Sequence, residues 1–486
     1  MRRIFQAILF ILIILLFTAC QPNPKTNYVI SKNDGVFEQR IQDAAQQNTT
    51  YNENILKTGN FYSKDGSVEF SWNLNQEVTK GTMPVIEVVP YMFTGKDVKE
   101  VVSAIFGEEV IFYDLGPESE RQLSKDEIQK KIRALSPYSS KEALRWLMGE
   151  EYTVEKIKKR IEEYTLQYDL APDENPHIEC DWTFRSGDYY WDLDDEGNKN
   201  NYIIASTVFN NIDYYVRAQV HNEGDYTQSI IKIGLGDGND DTYVESTADL
   251  VNLCSSDKPT QEQIDTAKTK AQRILEKMSF GEFTVAETFI DIRMFGDTPA
   301  YSIRVEAVPI FEGTAVLFGD ISKTNGNKDL YTSSYPVSQI QFFFSTNGDL
   351  VGFNMHSLTE VKEVKQSRVV TIPFDKLIEQ AEFHLQLYDA KAMDAFAGNA
   401  QMLELTTGRS IDTMNCKVEI SEMDYGLARF PVANSNSFYY APAAIFRGSI
   451  DYCDRETGAV LTGTGNPYGA RIQTLVAINA VDGTVF

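Results

Sequence analysis

The sequence predicts an α+β protein. It places an N-terminal antiparallel-sheet domain with a helical insertion over 61–255, then helix-plus-antiparallel-sheet units over 256–365 and 366–486. Three observations carry this. Apolar residues alternate with polar ones along many short segments, as at Val68, Phe70, Trp72 and Leu74. A few capped stretches change to helical spacing, as at Ile264, Ala267, Ala271, Ile274, Leu275 and Met278. Two C-terminal blocks also match each other at one offset.

The chain opens with Arg2 and Arg3, an apolar run from Ile4 to Phe17, and Thr18, Ala19 and Cys20. A basic start, a short apolar core and small residues make an export signal over 1–19. The run is shorter than the roughly 20 residues a membrane span needs. Phe17, Thr18, Ala19 and Cys20 resemble the lipobox of bacterial lipoproteins, although Phe17 stands where Leu is usual. The resemblance implies a diacylglycerol on the Cys20 thiol and cleavage before it. The expected location is therefore the extracytoplasmic face of the cell membrane, and two acyl chains suffice for stable anchoring.

Residues 20–60 are polar and read as a lipidated tether. Val68–Leu74 and Val85–Val89 are strands. Thr94 and Asp97 cap a helix whose face is Val98, Val101, Val102, Ile105 and Phe106. Ser124 and Glu127 start another, and 141–168 reads as two short helices split near Gly149. Ile178, Cys180, Trp182 and Phe184 return to period two, and strands follow at Tyr202–Val208, Tyr214–Val220 and Ser229–Leu235. Thr260 and Gln263 cap the helix that opens the next unit. Its strands are Glu282–Arg293, Tyr301–Ile310, Ile340–Phe344 and Leu350–Asn354, the last two joined at Asn347-Gly348. Pro373 starts a helix bearing Phe374, Leu377, Ile378, Ala381 and Leu385. Strands at Lys417–Ile420, Phe438–Ile450 and Leu475–Val481 complete the chain.

Ile310–Thr314 parallels Ile445–Ser449 at an offset of 135 residues. Asn347–Leu350 parallels Asp482–Val485, and Phe283–Val285 parallels Val418–Ile420, at the same offset. The ending from Leu475 to Phe486 resembles the terminal hairpin of PepSY-like domains and of YycH/YycI-type regulators. The whole chain resembles a family of unknown function among Gram-positive (Firmicutes) lipoproteins that joins a lipobox to such repeats. The resemblance implies an extracytoplasmic module that binds or restrains a partner, and it carries no catalytic residues.

The formal charge is −25, and removing Arg2 and Arg3 with the signal leaves −27. Such a chain is repelled by nucleic acid and by anionic headgroups. Beside Cys20 stand Cys180, Cys254, Cys416 and Cys453, which allow three pairings. If a bridge exists, Cys416–Cys453 is favoured, because both lie on neighbouring strands of one unit.

The sequence offers no nucleophile elbow, zincin motif, P-loop or Cys-x-x-Cys, so it points to no catalytic, cofactor-binding or metal-ligating residue. Ser255–Lys258 and Lys57–Gly59 resemble two penicillin-binding-protein motifs but in reversed order. His177, His221, His356 and His384 show no ligand spacing. The acidic stretches Asp192–Gly197 and Asp237–Asp241 lack the Glu at position twelve of a calcium loop and read as polar turns. Tyr189-Tyr190-Trp191, Tyr214-Tyr215 and Tyr439-Tyr440 place neighbours on opposite sheet faces, with core packing the default. The expected function is a non-catalytic, lipid-anchored binding or regulatory module for a membrane or cell-wall partner. The alternatives are a solute-binding lipoprotein for a sugar or peptide, and a cell-envelope enzyme.

Overall fold

A computed structural model describes residues 51–80, 82–116, 123–136, 154–175, 177–187, 200–223, 226–236, 253–295, 298–317, 338–397, 410–432, 437–461 and 473–485. The chain begins with β1 (Tyr51–Tyr62), β2 (Val68–Lys80), β3 (Met83–Pro90), α1 (Gly95–Phe106) and β4 (Tyr113–Asp114). A helical pair follows, α2 (Lys125–Leu135) and α3 (Val154–Tyr168). Then come β5 (Arg185–Gly187), β6 (Asn200–Phe209), β7 (Ile212–Glu223) and β8 (Tyr226–Leu235). After α4 (Gln261–Leu275) the chain makes β9 (Phe283–Phe295), β10 (Thr298–Phe311), β11 (Thr314–Ala315), β12 (Gln339–Ser345), β13 (Leu350–His356) and β14 (Thr359–Val369). It ends with α5 (Phe374–Leu385), α6 (Ala390–Ala397), β15 (Met414–Pro431), β16 (Phe438–Asp454) and β17 (Gln473–Asn479).

The fold is mostly β, with 50% of residues in strands and 23% in helices, which corrects the α+β expectation. The described strands form two large sheets instead of helix-plus-sheet units. The first runs β1-β2-β15-β16-β3-β14, with β17 also on β16. The second runs β11-β10-β12-β13-β8-β7-β6-β4, with β9 on β10 and β5 on β6. The first sheet thus joins the two ends of the chain, and β15 lies parallel to β2 from Cys416↔Val68 to Ile420↔Trp72. Residues 61–255 are divided between both sheets. The strands β9–β13 of 256–365 extend β6–β8, whereas β14 crosses to the first sheet.

Capping places the helices. Thr94 accepts from the Asp97 amide while the Asp97 carboxylate accepts from the Thr94 amide; Ser124/Glu127 and Thr260/Gln263 repeat the arrangement. The core face of the second sheet packs Val98, Val101 and Val102 of α1 and Ala267, Ala271 and Leu275 of α4 against Val216, Ile233, Val305, Phe342 and Phe353. The first sheet packs Leu377, Ala381 and Leu385 of α5 against Phe70, Trp72, Val418 and Phe446. Each such buried large side chain contributes about 1.5–3 kcal/mol. The sheets meet where Val308 and Phe311 pack on Ile86, Val88, Phe438 and Tyr440. Ile128, Ile157 and Tyr164 of the helical pair form a separate small core.

Several expectations are corrected in detail. Residues 51–60 of the expected tether form β1, paired with β2 throughout. Ile178–Phe184 makes no strand: Glu179 forms one bridge to Tyr113, and Trp182 has φ 57°. Of 141–168, α3 is described, and the split near Gly149 lies outside the described residues. The Asn347-Gly348 and Asp482-Gly483 turns both exist, with φ of 83° at Gly348 and 77° at Gly483. Ile310–Thr314, however, is a hairpin turn, whereas Ile445–Ser449 runs straight through β16. That match is of residue types alone.

Glu87 on β3 lies buried under β14, where Lys362 and Lys365 reach its carboxylate at 2.6 and 2.7 Å. Hydrogen bonds from Lys362 and then Lys365 hold its pKa down to about 2, against an ordinary 4.5. The folded state therefore releases this proton more readily than the unfolded one. The resulting stability is complete above pH 4.5 and is lost as pH falls towards 2. Glu87→Gln is expected to flatten the acid limb of stability in that window, measured by urea denaturation at stepped pH. An unchanged limb would remove the assignment.

Candidate binding face

Strand alternation gives the second sheet a face opposite its helices. Six strands contribute one transverse row there: Glu287, Glu306, Gln341, Asn354, Lys232 and Arg217, each directly opposite the next. The row turns from acidic at β9 to basic at β7. Its acidic half is a hydrogen-bond ladder. Asn354 donates to Gln341 Oε1 at 3.3 Å, and Gln341 donates to Glu306 Oε1 at 2.8 Å. Arg304 donates to Glu306 and, at 2.9 Å, to Asp291. Its guanidinium also lies 4.4 Å from the Phe289 ring centroid.

Glu306 is 1% exposed, and its Oε2 has no hydrogen-bond partner. Burial raises its pKa, opposed by Gln341 and Arg304. At the β9 end, Glu287 bonds Arg447 of β16, which also donates to Asp424 of β15 at 3.2 Å. This charged bridge joins the sheets. Burial raises the Asp424 pKa despite Arg447. Two residues along each strand runs a further row, Gln339, His356, Ile230, Gln219 and Tyr202. His356 Nε2 lies 2.5 Å from Gln339 Oε1, and burial lowers its pKa to about 4.

The face collects polar side chains on a rigid scaffold; Glu306, Gln341, Arg217 and Gln219 are buried there, while Asn354 and Lys232 stay half-buried. Reading β10 alone, Glu306 between Val305 and Ala307 looks like an ordinary solvent-facing position. The signal for the face was the recurrence of Gln, Asn, Lys and Arg at outward positions of β12, β13, β8 and β7.

The other sequence candidates stay apart. Cys416 and Cys453 are not bridged, which corrects the favoured disulfide. Cys416 pairs with Tyr452 and Cys453 with Asn415, so the two thiols lie on opposite faces of the β15–β16 ladder. Cys180 and Cys254 form no disulfide either. Lys57 lies on β1 of the first sheet, whereas Ser255 bridges Tyr301 in the second, so the penicillin-binding-protein motifs are not brought together. His177 lies 4.7 Å from the Tyr113 ring; the other histidines lie on β7, β13 and α5. Tyr214 is buried and donates to the Leu350 carbonyl at 2.8 Å, while Tyr215 takes the polar face. Tyr439 and Tyr440 are both buried, because β16 is packed on both sides. Cys20, Asp192–Gly197, Asp237–Asp241 and Tyr189–Trp191 lie outside the described residues. Among the described residues, no group of three or more His, Cys, Asp or Glu could hold a metal ion, and no helix is long and apolar enough to cross a membrane. No family model matches the chain, and no curated protein or solved structure matches it.

Proposed function

We propose that this chain is a lipid-anchored, extracytoplasmic binding protein that acts on a cell-envelope partner without catalysis of its own. The observation that carries the binding role is the polar row from Glu287 to Arg217 across six strands, in which Asn354, Gln341 and Glu306 are joined by hydrogen bonds. The ladder orders its side chains before any ligand arrives, so less side-chain entropy is lost on binding. The export signal and Cys20 supply the tether.

The tether is tested by Cys20→Ala in cells fed an alkyne fatty acid. The variant is expected to lose the label and to leave the membrane fraction, because both acyl chains are lost together. A variant that remains membrane-bound would remove the anchor. Binding is tested by a photo-crosslinking amino acid at position 354 in native membranes. One recurrent adduct, absent when the crosslinker is placed on α3, is the expected result. Equal, diffuse adducts from both positions would end the assignment of this face.

A further inference from the structure

We propose that β1 is a self-pairing margin: a second copy of this chain docks along it, strand antiparallel to strand, on a two-fold axis at Leu56. β1 closes one side of the first sheet, and among the described residues it pairs only with β2. Its outer side therefore presents backbone N–H and C=O groups as a template for another strand. The devices that usually blunt such a margin are few here. The twelve residues contain no proline. Their pairing with β2 runs from Tyr51 to Tyr62 without a slip, passing even Gly59 at φ 126°. The one lysine, Lys57, lies 3.5 Å from the Glu382 carboxylate of α5 and 6.0 Å from the Trp72 ring centroid, so its charge is held on the helix side. Leu56, on the other face, is 74% exposed, between Asn54 and Thr58 and opposite Asn75.

The order of residues in β1 selects a second copy as the occupant. An antiparallel two-fold at Leu56 sets position 56 against 56, 54 against 58, 55 against 57 and 53 against 59. Leu56 then covers Leu56 of the second copy, and Asn54 meets Thr58. Glu53 falls opposite Gly59 and diagonal to Lys57, so opposite charges are neighbours twice across the axis. An axis at Lys57 would oppose two ammonium groups, and one at Ile55 would leave Leu56 against Asn54. With one Glu and one Lys, β1 is neutral within a chain of −25, so like-charge repulsion is not concentrated at the contact. A foreign strand would use the same backbone groups, but the matched order about Leu56 specifies this chain. Each copy uses the same margin, so the contact is isologous and closes at two. A single strand pair is a small interface, and the dimer is expected to form between about 1 and 100 µM. The contact lies on the other sheet from the polar row, so either reading can fail alone.

The test is sedimentation of the full exported chain carrying Cys20→Ser, which keeps acyl chains out of the readout. A monomer–dimer equilibrium without larger species is expected. Leu56→Lys and Leu56→Glu should each weaken the dimer about tenfold, because like charges then face each other across the axis. Mixing the two variants should restore it, since lysine now faces glutamate. Leu56 is exposed, so both variants should keep the wild-type melting temperature within a few degrees. The register is read by oxidation: Leu56→Cys should link to itself, and Asn54→Cys should link to Thr58→Cys when the two are mixed. A wild type that stays monomeric up to about 100 µM, or a dimer that Leu56→Lys leaves intact, overturns the proposal. Thr58→Cys linking to itself as readily as Leu56→Cys overturns the axis at Leu56. A monomeric wild type whose position 56 crosslinks to a different protein in native membranes gives the margin to that protein, and the second copy falls.

Discussion

Arg447→Met is expected to destabilise the folded chain by about 1.5–3 kcal/mol, because it strands two half-buried carboxylates that share one cation. The Arg447 side chain is 11% exposed and reaches Glu287 of the second sheet and Asp424 of the first. Methionine fills much of the same volume, so the loss is mainly electrostatic rather than a cavity. Asp424 already holds its proton more tightly than a free carboxyl, through burial. Without the guanidinium its pKa rises further. A carboxyl with a raised folded-state pKa gains stability as pH falls through that value. The deficit should therefore be largest near neutral pH and shrink on acidification. Denaturant unfolding at two pH values measures both effects. Adding Glu287→Gln and Asp424→Asn to Arg447→Met should recover most of the loss. A deficit below about 1 kcal/mol, the range of an exposed pair, would remove the inter-sheet role of the bridge.

Ending the chain at residue 365 is expected to abolish cooperative unfolding altogether. The cut removes β15, β16 and β17, and with them the centre of the first sheet. The β1–β2 hairpin then loses its parallel partner, and β3 keeps only Thr359–Lys365 of β14. Phe70, Trp72 and Leu74, all at most 4% exposed in the whole chain, would face water. An isolated two-stranded hairpin is at best marginally stable. Thermal unfolding by circular dichroism and limited proteolysis of residues 20–365 should show no sigmoidal transition and rapid cleavage in β1–β3. A sharp transition near that of the full chain would mean that the second sheet carries the stability alone. It would restore a unit boundary near residue 365.

What was legible in the sequence was local. Three helices announced themselves through Thr94/Asp97, Ser124/Glu127 and Thr260/Gln263, because a capping box needs only four residues. The pairing of Val68–Trp72 with Cys416–Ile420 joins segments 348 residues apart (416 − 68), and nothing in either segment names the other. That pairing and the crossing of β14 join segments that local patterns had placed in different units. β1 was missed because Asn52, Asn54, Asn60 and their neighbours make an edge strand look like a linker. The same limit hid the candidate face. Glu306, Gln341 and Asn354 are ordinary outward strand residues until registry aligns them, and Arg447 lies far from Glu287 in sequence. Tyr215 was singled out, but its place opposite Gly234 emerges only from the β7–β8 register.

The irregularity of β14 bears on how copies of this protein behave at high concentration. Its pairing with β3 slips at three places, matching the uneven spacing of Val361, Val364 and Val369. Lys362 and Lys365 stand on the same strand and spend their charge on Glu87. A free sheet margin is a template for another chain only when its backbone groups keep an even beat. Broken register and cationic side chains remove that beat along one whole margin of the first sheet. Self-association that spreads from copy to copy needs two usable margins on each molecule, so the defects in β14 act as a built-in guard against fibre growth.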